Sequence, residues 1–208
     1  MNPKNKPLTC YVTDRKQLTG TQSLSECIER AVSSGADWVQ IREKDLPAQE
    51  LLRVTSNAIA VAAGRARILV NDRMDVAIAA GAHGVHLGNE SLPIALVVDW
   101  IRRGASREFM IGASCHALVD VERAARDGAS YVVFGPVFST PSKVAFGPPL
   151  GVELLRQACR AASIPVLAIG GVTPENAGSC LDAGAAGVAA IRYFQSPRVQ
   201  PFWALERT

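Results

Sequence analysis

What this chain lacks narrows its identity first. Its five cysteines, Cys10, Cys27, Cys115, Cys159 and Cys180, are scattered and include no C-x-x-C pair. That excludes a zinc knuckle or dithiol redox motif and leaves free thiols in a reducing compartment. No Lys/Arg tract or basic-aromatic stripe occurs, and the formal net charge is only +3, so nucleic acid is not the expected partner. No apolar run approaches the roughly 18 residues needed to span a bilayer. The opening MNPKNKP has no apolar core of a signal peptide. A cytoplasmic protein without membrane contact is expected. G-x-G-x-x-G is also absent, which disfavours an open dinucleotide-binding sheet.

What is present is a large apolar fraction and a period. Hydrophobic residues make up 48% of 208 residues, enough for a substantial core. One phrase recurs as SGADWVQI (34–41), AGAHGVHL (80–87), DGASYVVF (127–134) and AGAAGVAA (183–190). Each reads as a helix closed by glycine, followed by a strand buried on both faces. Between the copies lie LTCYVTD (8–14), RILVND (67–72), FMIGAS (109–114) and IPVLAIGG (164–171). Segments 48–64, 118–128 and 150–162 carry apolar residues at helical spacing. Asp72 is expected to cap a short helix, with Asp75 in its first turn, and Thr173-Pro174-Glu175 to start another. A strand-helix unit about every 25 residues predicts a single-domain (β/α)₈ TIM barrel. The barrel is expected over residues 8–208, with 1–7 as a flexible tail.

In such a barrel the strand ends converge on one active face. The charged run VQIREKD (39–45) falls there, and alternation places Gln40, Arg42 and Lys44 on one side, with Ile41 and Glu43 on the other. Glu43 and Asp45 are expected to orient neighbours or cap the next helix. Arg42, Lys44, Asn71 and Lys143 bring three cations and an amide that suit a diphosphate, and Asp72 suits a bridging Mg²⁺. Ser114, Cys115 and His116 follow the fifth strand. Cys115 reads as a small buried filler and His86 as a hydrogen-bonded core or rim histidine. AIGGVTPEN sets Gly170 and Gly171 before a helix start, a backbone anion site to which Arg192 adds a charged fork. Two anion sites imply two small phosphorylated substrates.

Together, QIREKD, VNDRMD, GVHLG, GPVFSTPSK and AIGGVTPEN resemble the thiamine phosphate synthase and thiazole tautomerase superfamily, from about Tyr11 to Ile191. The resemblance implies a transferase that joins hydroxymethylpyrimidine diphosphate to hydroxyethylthiazole phosphate and releases pyrophosphate with Mg²⁺. It places Gln40 on the pyrimidine, Arg42, Lys44, Asn71 and Lys143 on the diphosphate, and Asp72 on the metal. Ser114, Thr140 and Ser142 line the site, while Gly171 and Ile191 bound the thiazole phosphate pocket.

Two positions depart from the synthase pattern. Ser91 stands where a second metal carboxylate is usual, with Glu90 beside it as a substitute. Arg192 stands where a serine is usual. His116 matches a histidine associated with the tautomerase branch, whose proton-transfer chemistry needs no diphosphate clamp. The intact clamp favours the synthase over a tautomerase, and over a silent barrel that merely binds thiamine precursors. The sequence is compatible with a homo-oligomer.

Overall fold

The computed structural model describes residues 6–104, 108–140, 148–196 and 199–203. The strands are β1 Leu8–Val12, β2 Trp38–Ile41, β3 Arg67–Asn71, β4 Gly84–Leu87, β5 Met110–Cys115, β6 Tyr131–Phe134, β7 Val166–Ile169 and β8 Gly187–Ala190. They pair in sequence order, all parallel, and β8 closes on β1. A 3₁₀ turn at Arg15–Gln17 and helix α1 Leu24–Ser33 follow β1. The later connections hold α2 Ala48–Ala62, α3 Met74–Ala80, α4 Ile94–Gly104, α5 Leu118–Arg126, α6 Gly151–Ala161, α7 Pro174–Asp182 and α8 Arg192–Gln195. This is the expected (β/α)₈ barrel.

The near-continuous apolar strands divide by period two. Cys10, Val12, Trp38, Leu69, Met110, Tyr131, Val133, Leu167 and Ala189 fill the barrel. Tyr11, Val39, Ile41, Ile68, Val70, Val132, Phe134 and Val188 pack outward against the helices. Each fully buried side chain of this kind contributes about 1.5–3 kcal/mol. Space inside is tight: a Cβ on Gly112 would lie 2.1 Å from the Tyr131 ring. The glycine therefore lets Tyr131 lie across the barrel, 4.8 Å from Trp38 between ring centroids.

The helix starts differ from expectation in one instructive place. Thr173 does precede α7, and its N–H donates to Asn176 Oδ1 at 2.8 Å. Asp75 is in the first turn of α3, but the residue flanking that helix is Arg73, so Asp72 is not its cap. Asp72 instead takes a left-handed φ of 60°, which turns its carboxylate toward β4. Lys6 and Pro7, the last two residues of the expected tail, both make contacts. Lys6 Nζ reaches Asp37 at 3.3 Å, and the Pro7 carbonyl accepts from Trp203 Nε1 at 3.1 Å. Phe202 is buried against Tyr193 and Phe194 beside α8, so it seals the helix layer. Large apolar side chains left exposed among the described residues, Ile78, Leu92, Leu96, Trp100 and Val119, lie on or beside α3, α4 and α5. Among the described residues no helix is long and apolar enough to cross a membrane.

Candidate active site

The C-terminal strand ends form a mouth with two halves. In the first, Gln40 Nε2 donates to Asn71 Oδ1 at 2.8 Å, and Asn71 Nδ2 donates to Asp72 Oδ2 at 2.5 Å. Gly88 N–H donates to Asp72 Oδ1 at 3.2 Å, and the Ser91 hydroxyl donates to that same oxygen. An acceptor-only carboxylate thus ends a chain of amides and orients all of them. Ser91, rather than the exposed Glu90, is the residue brought to Asp72. The position of Glu90 gives no support to its expected role as a substitute metal carboxylate.

Arg42 follows β2 on the loop, half-buried, and Lys44 lies exposed in the next turn. The loop is anchored from below by Glu43. Thr13 Oγ1 donates to Glu43 at 2.7 Å and accepts from the Arg42 N–H at 2.9 Å. The Arg15 backbone N–H lies 3.1 Å from both Glu43 oxygens, and its guanidinium lies 3.1 Å from one of them. Asp45 takes the other contacts of Arg15. Both acids orient neighbours, as expected; neither caps α2, which Pro47 precedes. With a Glu43 side chain only 2% exposed, Glu43→Ala strands the buried Thr13 hydroxyl and the Arg15 backbone N–H, although Asp45 still holds the Arg15 guanidinium. A loss of about 3 kcal/mol is expected, lowering Tm by roughly 6–12 °C in thermal unfolding. A shift under about 2 °C would show that the anchor is not needed.

The second half is a cavity of about 350 Å³ whose walls include His116, Pro136, Thr140, Gly170, Gly171, Ile191 and Arg192. Gly170 and Gly171 have φ of 94° and 64°, a left-handed pair that leaves their backbone bare. The turn is held by Asn176 Nδ2, which donates to the Gly171 carbonyl at 2.9 Å from the first turn of α7. The N-terminal end of α7 adds a field favouring an anion. Arg192 lines this cavity and donates to Thr140 Oγ1 at 2.7 Å, which fixes one side of its guanidinium. His116 Nδ1–H donates to the Gly135 carbonyl at 2.5 Å.

Ser114 lies between the halves, at the end of β5, with Oγ 2.9 Å from His86 Nε2. Burial pushes the His86 imidazole down to about 4; the nearby Asp72 carboxylate opposes this and Arg42 adds to it. Burial also pushes the Cys115 thiol up to about 12, so it is a filler and not a nucleophile. Ser142 and Lys143 lie outside the described residues. Sequence reasoning missed the His86–Tyr131 contact, the Glu43–Arg15 anchor and the hold of Asn176 on the glycine turn. Only the last had a local signal, an amide three residues after a helix-starting threonine.

Among the described residues no three His, Cys, Asp or Glu side chains gather as a metal cage. Mg²⁺ does not require one, since it commonly takes one or two carboxylates and fills its shell with phosphate and water oxygens. Asp72 with the Ser91 hydroxyl fits that donor set.

A closed (β/α)₈ barrel whose mouth joins a carboxylate-terminated polar chain to a cavity beside a glycine turn has the architecture of the barrel enzymes. The model of the family described as thiamine monophosphate synthase matches residues 9–194, and the chain belongs to that family. It is 39% identical to the thiamine-phosphate synthase of Roseiflexus castenholzii over 91% of this chain and 81% of that one. It is 42% identical to that of Methanoculleus marisnigri over 87% and 84% respectively. The solved thiamine phosphate pyrophosphorylase from Pyrococcus furiosus superposes with a TM-score of 0.81 at 31% identity, covering 92% of this chain and 89% of that one. A 3-hexulose-6-phosphate synthase structure, at 18% identity and a TM-score of 0.69, shares the fold.

Proposed function

We propose that this transferase joins hydroxymethylpyrimidine diphosphate to hydroxyethylthiazole phosphate, forming thiamine phosphate and pyrophosphate. The observation that carries the reading is the pairing, around one mouth, of the Gln40–Asn71–Asp72–Ser91 chain with the Gly170-Gly171 cavity. One half suits a diphosphate and its metal, the other a monophosphate with an apolar ring beside Ile191.

Gln40 and Asn71 orient the pyrimidine diphosphate, and Arg42, Lys44 and Lys143 supply fixed positive charge to its departing oxygens. Asp72 and Ser91 would hold Mg²⁺, which would supply neutralising charge for the leaving pyrophosphate. The pyrimidine methylene–oxygen bond breaks, and pyrophosphate leaves with the electron pair. The thiazole nitrogen lone pair then forms the new carbon–nitrogen bond to the pyrimidine carbocation. No side chain needs to act as nucleophile; fixed charge and orientation supply the rate. Thr140, Ser142 and Arg192 hold the thiazole phosphate side, with backbone donors from the glycine turn.

The test supplies both substrates with Mg²⁺ and follows thiamine phosphate and pyrophosphate together. Equimolar formation of the two is the expected result. Aromatisation of a thiazole carboxylate phosphate without either product would make the chain a tautomerase, with His116 as the proton carrier.

A further inference from the structure

The interior of the barrel carries a polar chain that the proposed reaction leaves unused. His86, on the inner face of β4, is 2% exposed. Its Nδ1 lies 3.0 Å from Tyr131 Oη, and its Nε2 lies 2.9 Å from Ser114 Oγ. Tyr131 is fully buried, pressed over Gly112 and against Trp38. Among the described residues, His86 is the one hydrogen-bond partner of the Tyr131 hydroxyl. From this we infer that His86 is a positioning residue that holds the Ser114 hydroxyl as a hydrogen-bond donor into the mouth.

The polarity follows from counting protons. Tyr131 has one hydroxyl proton, at a depth where an unpaired donor carries its full desolvation cost. If His86 Nδ1 bore a proton, that tyrosine proton would have no acceptor. The same objection applies to the imidazolium, which bears protons on both nitrogens. Tyr131 therefore donates to Nδ1, and the neutral ring carries its proton on Nε2. Nε2–H then donates to one lone pair of Ser114 Oγ.

The serine proton is left to point away from His86. Ser114 is half-buried at the end of β5, and the adjacent strand brings Asn71 opposite His86. A serine beside an accepting imidazole would give its proton to the ring. Here the ring donates, so the one serine proton stays available to the mouth, the polarity that an anionic phosphate oxygen requires. Interior residues thus set the direction of a bond at the mouth, with no contact of their own to substrate. That the recipient is a phosphate oxygen of the diphosphate rests on the proposed function; the polarity of the chain does not.

Two measurements test it. Nitrogen-15 spectra of the histidine-labelled full chain at neutral pH, with His86 assigned through His86→Gln, should show an Nε2–H tautomer. An Nδ1–H tautomer or an imidazolium overturns the inference. The second measurement is a double-mutant cycle in thiamine phosphate formation. His86→Gln and Ser114→Ala are each expected to lower kcat by roughly tenfold to a hundredfold, and the double variant to be no slower than Ser114→Ala.

Tyr131→Phe keeps the ring and the packing, which covers the case in which His86→Gln fails to fold. It should slow the wild type several-fold but leave the Ser114→Ala background unchanged. Multiplying losses in either cycle overturn the inference. A wild-type chain that makes no thiamine phosphate would reject the proposed function alone, and the tautomer would then decide the inference.

Discussion

Asp72→Asn is expected to cut kcat/KM for thiamine phosphate formation by about 10²- to 10³-fold, the scale of losing a preorganised charge worth roughly 3–4 kcal/mol. The substitution isolates charge from shape. Asparagine tolerates the left-handed backbone that Asp72 adopts at φ 60°, so the turn into α3 survives. What fails is the polarity of the neighbours. Asn71 Nδ2, Gly88 N–H and the Ser91 hydroxyl all donate to the carboxylate. An amide can accept from only one side, and its own NH₂ would face a donor. Relief requires turning Asn71 over, which would set its NH₂ against Gln40 Nε2. The defect therefore propagates to the residue proposed to hold the pyrimidine. Steady-state rates across a Mg²⁺ titration check this, with loss of both apparent metal affinity and kcat. Activity within threefold of wild type would remove Asp72 from the proposed chemistry.

The barrel was legible in the sequence because its signal is repeated. Four glycine-closed helix ends, each followed by an apolar run, need only local chemistry to be read. The alternation in VQIREKD was read correctly for Gln40, which lies buried on the inner face, and for Glu43, which points to the opposite side and anchors Thr13 and Arg15. Asp72 was misread because an aspartate before a helix ordinarily caps it. Here the partners that turn it away, Gly88 and Ser91, sit on the next loop. The same loop explains Ser91 over Glu90: both follow β4, and only the fold says which of two adjacent side chains turns inward. His86 and Tyr131 were illegible as a pair for a stronger reason. They lie 45 residues apart and meet only because glycine at 112 admits the tyrosine ring.

Gly171→Val carries the second large effect, and its signature should be one-sided. A Cβ at that position would lie 2.4 Å from the Ser139 carbonyl and 2.8 Å from Phe138 Cβ, and the residue holds φ 64°. A β-branched side chain is an outlier there. The turn cannot retreat freely, because Phe138 N–H is bonded to the Gly170 carbonyl at 2.9 Å and Asn176 grips the Gly171 carbonyl. Strain of about 1–3 kcal/mol from the backbone, with the steric conflict added, must displace either the glycine turn or the strand-6 loop. Either movement disturbs the phosphate side of the mouth, where a misplacement of about 1 Å can cost a hundredfold. The expected result is a rise in KM for the thiazole phosphate of at least about a hundredfold. The dissociation constant for the pyrimidine diphosphate, held in the other half of the mouth, should stay within a few-fold. Binding isotherms for each substrate separately make the comparison. Equal weakening of both ligands would mean that the two halves are not independent, and the division of the mouth drawn here would have to be withdrawn.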